Sequence, residues 1–343
     1  MLTTGAISEK RHPITAMKVK QFIYNKALLI VLTIGIIVIA IVNPNFLQFR
    51  VLKDILTQSA VKLLVALGLM FPLLTGGTDL AGGRQVGLAA VVAASMMQTA
   101  TYSSRFFPGL PQIPVIVPIL IVVVVLAIVG FFNGFMVAKL SLPPFIATLG
   151  MSTIVYGANL LYFGMEPNSA QPIGGLRDDF TFLAQYQIFG QINILIVIAA
   201  FFTVVVWFIL NKTTYGRMVY AVGGNPKAAK VAGINVVLIL ISVYVIESIL
   251  VGFAGILEAA RTMSAQASYG TSYEFDAISA CVVGGVSLSG GVGKVSGVVL
   301  GVIIFTVINY GLAFIGVNPN WQLIIRGLII CAAVAFDVKK TAF

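Results

Sequence analysis

A run such as Ala27–Val42 (ALLIVLTIGIIVIAIV) leaves a polypeptide few ways to fold, and this chain repeats the pattern along its length. That run and Ile113–Gly130 (IPVIVPILIVVVVLAIVG) carry no charge, and each approaches the roughly 20 residues a helix needs to cross a bilayer. Only 9% of the 343 residues are Asp, Glu, Lys or Arg, against about 25% in soluble domains, and the mean hydropathy is +1.03. A water-soluble core cannot account for such a chain.

In hydrocarbon every backbone N–H and C=O must be paired within the protein, which leaves helix bundles and closed barrels. A barrel would alternate in segments of about ten residues. The continuous apolar blocks predict an all-α polytopic membrane bundle. Ten spans are expected, near 27–43, 58–75, 84–101, 114–138, 145–163, 192–210, 236–257, 274–289, 295–316 and 321–337. Glycine runs interrupt the second, third and eighth. Residues 1–26 form a basic tail before a single membrane domain, 27–338.

Lys and Arg concentrate on the cytoplasmic side of membrane proteins. The head carries Lys10, Arg11, Lys18, Lys20 and Lys26; the loop after span six carries Lys212, Arg217, Lys227 and Lys230; the tail carries Lys339 and Lys340. With ten spans these fall on one face, together with Lys139 and Lys294, so both termini are expected in the cytoplasm. Arg50, Lys53, Arg105, Arg177 and Arg261 fall on the other face. The head precedes an apolar run too long for a signal peptide and is expected to be retained.

Several functions are disfavoured. The net charge of +10 lies beside membrane spans instead of on a soluble basic surface, which argues against nucleic acid. The one histidine, His12, lies in the head, so no histidine-based metal site or catalytic triad exists. Cys281 and Cys331 fall in apolar spans as small core residues. Ser289–Val295 (SGGVGKV) fails the phosphate-loop pattern at Leu288 and at Val295. Asp178-Asp179 is a solitary acidic pair outside the membrane. No catalytic, cofactor or metal constellation is found.

Two glycine-rich junctions echo each other: Leu74–Gly83 (LTGGTDLAGG) and Val282–Gly291 (VVGGVSLSGG). Repeats flanking broken helices mark the substrate path in many transporters, and whether this one is parallel or inverted stays open. Gly83 and Gly87, and Gly293, Gly297 and Gly301, stand four apart, the spacing that lets helix backbones approach closely. The external stretch 164–191 is either a solvated loop or a landing surface for a partner.

The loop Tyr215–Asn235 (YGRMVYAVGGNPKAAKVAGIN) encodes a short capped helix. Asn225 is an N-cap and Pro226 suits the first helical position. Lys227, Ala228, Ala229, Lys230, Val231 and Ala232 follow, and Gly233 suits the left-handed end. Two turns are too short to be stable alone. The helix is expected to dock either on another protein, through Ala228, Ala229, Val231 and Ala232, or on its own bundle.

This loop, with GGTDLAGGRQVGLAAVVAAS at 76–95 and the block 273–322 (YEFDAISACVVGGVSLSGG…NPNWQ), resembles the permease subunits of ribose-type bacterial ABC sugar importers, most of all those for galactose and methyl-galactosides. The likeness spans about 27–338. It implies two permease copies forming a pore in the inner membrane. It also implies a cytoplasmic ATPase carrying the ATP and magnesium, and a periplasmic binding protein that delivers the sugar. Asn225–Gly233 then corresponds to the ATPase-coupling helix, and this chain is itself no enzyme.

Polar groups inside spans are costly and therefore candidates for function. Asp79, Tyr156, Asn159, Glu247 and Asn309 are candidates for the translocation path. Glu258 and Arg261 are spaced to pair on one helix face, and Asp79 with Arg84 to close a helix end. The expected function is import of galactose, a methyl-galactoside or glucose. The alternatives are ribose import by the same machinery, or an ion-coupled secondary transporter in which Glu247 carries the ion.

Overall fold

The computed structural model describes residues 33–341, so the basic head lies outside the described residues. Thirteen helices follow one another there. They are α1 (Thr33–Val42), α2 (Phe49–Leu74), α3 (Gly82–Met96), α4 (Ile116–Ala138), α5 (Pro144–Phe163), α6 (Asp178–Gln185), α7 (Ile194–Lys212), α8 (Thr214–Gly224), α9 (Pro226–Val231), α10 (Val236–Thr262), α11 (Tyr273–Val283), α12 (Val295–Phe314) and α13 (Pro319–Thr341). Between α6 and α7 a two-residue hairpin pairs β1 (Gln187–Ile188) with β2 (Ile192–Asn193). Ten helices occupy the expected spans, and six of them, α2, α4, α5, α7, α10 and α12, are long and apolar enough to cross a membrane.

The helices differ in what they face. In the most apolar stretch of α2, 78% of positions are buried, against 22–28% in α4, α5 and α7. α2 is therefore the central post, and α4, α5 and α7 form a rim with exposed leucines, isoleucines and phenylalanines. α2 starts at Phe49 instead of 58 because its polar first turns find partners: Lys53 Nζ donates to Gln191 at 3.3 Å, and Asp54 accepts from Tyr310 at 3.3 Å.

Spans three and eight are half-length. α3 has 15 residues and α11 has 11, about 22 and 16 Å at 1.5 Å per residue, short of the roughly 30 Å hydrocarbon layer. α2 runs toward the end of the molecule that carries α9, where the Leu74 carbonyl accepts from Gly291 N at 2.8 Å. Gly76, at φ +75°, turns the chain there. Residues 75–81 then climb back, without helix, to Gly82 beside Leu69 and Glu247. From that depth α3 runs to the opposite end, where the Met97 carbonyl accepts from Arg177 N at 2.9 Å.

A second break has the opposite direction. α10 runs from α9 to the far end, and Ala265 there exchanges both backbone hydrogen bonds with Ile173, each 2.9 Å. Residues 264–272 descend without helix, and α11 continues toward the α9 end. The N-termini of α3 and α11 thus meet in the interior. A Cβ on Gly83 would collide with the Glu274 carboxylate and the Gly270 carbonyl, so only glycine admits this approach. The α2–α3 and α10–α11 pairs are inverted relative to each other. The sequence echo is a different relation: its two junctions lie at the same end and touch, a Cβ on Gly290 falling 2.7 Å from Gly76 N.

The stretch 164–191 is a folded cap, not a bare loop. It holds α6 and the hairpin, buries Phe180 completely, and bonds Thr99 N to the Gly175 carbonyl at 2.8 Å. Cys281 is buried on α11, as expected, whereas Cys331 is exposed on the outer α13.

Candidate functional site

The break before α3 leaves backbone groups that no helix satisfies, and buried side chains take them up. Asp79 Oδ1 accepts from Ala81 N at 2.6 Å, and its Oδ2 accepts from Asn133 on α4 at 2.9 Å. Thr148 on α5 accepts from Leu80 N at 3.1 Å. Glu247 on α10 faces Asp79 and accepts from Ser248 at 3.1 Å. At the second break, Asn159 Nδ2 donates to the Ala267 carbonyl at 3.4 Å. Irregular backbone survives at membrane depth only when buried and paired in this way. Asp79, Asn159 and Glu247 are fully buried. They brace the breaks and border no open surface of the single chain. Asp79 closes the start of α3 through Ala81 and not through Arg84.

Arg84 points elsewhere. Its guanidinium lies 4.1 Å from the Tyr156 ring centre, and Nη1 donates to Thr271 at 3.1 Å. Ser268 and Thr271 beside it are exposed. Among the described residues Arg84 forms no ion pair. A guanidinium on the first turn of α3, at the depth where the breaks meet, cannot face lipid cheaply. Arg84, Tyr156, Ser268 and Thr271 therefore form a polar face suited to water or a hydroxylated solute. Tyr156 was legible as a candidate from its sequence; Arg84 and Thr271 were missed, although an arginine inside GGRQVG was the available signal. Asn309 does not join this face. It sits on α12 near Gly311, which packs against Ile39 of α1.

Ion pairs hold several other charges inside the bundle, while Glu274 is buried with one carboxylate oxygen unpartnered. Asp276 on α11 meets Lys62 of α2 at 3.3 Å and Arg326 of α13 at 3.2 Å, tying three helices together. Arg261 and Glu258 pair at 2.8 Å on one face of α10, three residues apart. The glycine stripe of α12 lies on α11: a Cβ on Gly297 would strike the Gly284 carbonyl, and one on Gly301 the Ala280 carbonyl. Gly293 abuts Leu74 and Val286, and a Cβ on Gly87 would fall 2.7 and 3.0 Å from the carbonyls of Tyr269 and Ala267.

At the end of the bundle, α8 and α9 form a bracket. Ser242 donates its hydrogen to the Ile239 carbonyl, so Tyr215 donates to Ser242, at 2.8 Å. Burial pushes the Tyr215 hydroxyl up to about 12. Tyr220 donates to the Gly293 carbonyl at 2.9 Å, and Gly223 fits against the Leu74 carbonyl. The Asn225 side chain caps α9 by accepting from Lys227 N and Ala228 N, each 3.0 Å, and Gly233 ends it at φ +84°. Ala229 is only 4% exposed and anchors α9 to the bundle, which corrects its place on the presented face; Val231 is 91% exposed. Val231 is thus an apolar side chain held out between Lys227 and Lys230, on a helix that packs against α8 and α10.

A family model described as branched-chain amino acid transport system / permease component matches residues 51–334. The galactose/methyl galactoside import permease protein MglC of Haemophilus influenzae is 48% identical over 319 residues, covering 92% of this chain and 94% of that protein. Its Escherichia coli K12 counterpart is 48% identical over 316 residues, covering 91% and 94%. The ribose import permease protein RbsC of Bacillus subtilis is 36% identical over 318 residues, covering 91% and 92%. No solved structure matches. Broken helices around a polar interior and a bracketed terminal helix, in a chain matched from 51 to 334, place this protein in the family of permease components of branched-chain amino acid-type transport systems.

Proposed function

We propose that this chain is the permease subunit of an ATP-driven importer of hexoses, with galactose and methyl-galactosides as the leading substrates. The observation that carries the substrate is the ordering of relatives: 48% identity to galactose/methyl galactoside permeases against 36% to a ribose permease, over nearly the same length. A glucose cargo remains compatible with the same pathway. α9 supplies the ATPase contact through Val231, Ala228 and Ala232, and ATP with magnesium sits on that partner.

Lys139, Lys212, Arg217, Lys227, Lys230 and Lys294 all stand at the α9 end, so that end is cytoplasmic by the positive-inside rule. Both termini then lie in the cytoplasm, and the 164–191 cap faces the periplasmic binding protein. The polar face of Arg84, Tyr156 and Thr271 is open on one copy at membrane depth. A second copy opposite it encloses a weakly polar path, with stacking and hydroxyl contacts suited to a sugar.

The test is reconstitution with the cognate ATPase and binding protein, measuring uptake of labelled galactose with unlabelled competitors. Methyl-galactoside should compete and ribose should not. Preferential ribose uptake would reassign the cargo.

A further inference from the structure

We propose that the groove between α7 and α12 holds an acyl chain of an anionic phospholipid, whose phosphate is met by Lys212 and Lys294. The two helices stand apart at the α9 end and leave a cleft of about 470 Å³, lined by Thr203, Val204, Trp207, Val295, Ser296, Val299 and Leu300. Its volume falls within the roughly 300–1,000 Å³ typical of ligand pockets. Its walls are almost wholly apolar, and both helices are long and apolar enough to cross a membrane. The cleft therefore opens sideways to lipid and suits a hydrocarbon chain, not a sugar.

The mouth of the cleft has a different chemistry. Lys212, the last residue of α7, is exposed and places Nζ 5.4 Å from the centre of the Trp207 ring, which itself lines the groove. Lys294, also exposed, immediately precedes Val295 at the start of α12. Two cations and an indole thus stand where the apolar wall ends. Tryptophan favours the headgroup level, and basic pockets between membrane helices on the cytoplasmic side bind anionic headgroups. An apolar slot closed by positive charge complements a phospholipid with net negative charge better than a zwitterionic one.

The test uses the full chain purified in detergent, offered phosphatidylglycerol or phosphatidylethanolamine with matched acyl chains, and counts retained lipid by native mass spectrometry. Wild type should retain phosphatidylglycerol preferentially. Each lysine is worth about five-fold at roughly 1 kcal/mol per charge, so Lys212→Gln with Lys294→Gln should cut retention about 25-fold. Lys139→Gln, on the same end but away from the groove, should leave it unchanged. Val299→Trp should fill the slot and displace both lipids. Equal retention of the two lipids by wild type, or no loss in the double lysine variant, would overturn the proposal. So would a Val299→Trp protein that keeps its lipid but changes from dimer to monomer, which would make the groove a contact between copies.

Discussion

At the residue scale, the rare polar groups divide by the direction in which they point. Asp79 satisfies Ala81 N and the Asn133 amide inside the bundle. Asp79→Ala orphans both, at about 1–3 kcal/mol each, and should lower the melting temperature in detergent along with membrane abundance. Arg84 meets Tyr156 and Thr271 at an open face, so Arg84→Ala should spare abundance and cut sugar uptake. Uptake per molecule equal to wild type would remove Arg84 from the path. At the tip of α9, Val231→Asp would leave a carboxylate desolvated against the ATPase. At about 3 kcal/mol, that is roughly a hundred-fold weaker association, with normal abundance, whereas Ala229→Glu should disturb α9 itself. Co-purification of the ATPase separates the two. The sequence identified most of these groups because ionisable residues are conspicuous in apolar runs. It could not reveal their direction: Asp79 and Tyr156 look alike as intramembrane polar residues until packing buries one and leaves the other at a surface.

At the scale of elements, apolar runs alone set the long helices α4, α5, α7, α10 and α12 close to their expected positions. The half-helices were harder, because α3 and α11 are apolar enough to pass for spans and are cut short by tertiary pairing. Thr148 and Asn159 hold the broken segments open, from α5, far away in the chain. The cap α9 was readable from Asn225, Pro226 and Gly233, since capping depends on neighbouring residues only. α12 packs closely on α11 through its glycines. Gly297→Val drives a side chain into the Gly284 carbonyl and should cost at least the 1–3 kcal/mol typical of overpacking, reducing folded protein in the membrane. Ile308→Val, at a partly exposed position on the same helix, should leave abundance and uptake unchanged. Thermal melts of the two variants check the difference.

At the scale of the whole molecule, two inverted helix pairs meet N-terminus to N-terminus around a polar interior, and the α8–α9 bracket is clamped to the same central post, α2. Gly223 and Tyr220 of α8 touch the Leu74 end of α2 and the 289–293 turn, where both glycine junctions converge, so α9 is linked through α8 to the break that carries α3. A mechanical linkage of this kind suits a transporter driven from outside its own chain. An ion-coupled carrier would instead need Glu247 to reach a water-filled path, and it is fully buried against Asp79 and Ser248. The most direct measurement is galactose uptake into proteoliposomes holding this chain, its ATPase and the binding protein, with ATP and ion gradients varied independently. Uptake should require ATP and the binding protein, persist when proton and sodium gradients are abolished, and disappear with Val231→Asp. Uptake driven by a proton or sodium gradient in the absence of ATP would contradict it.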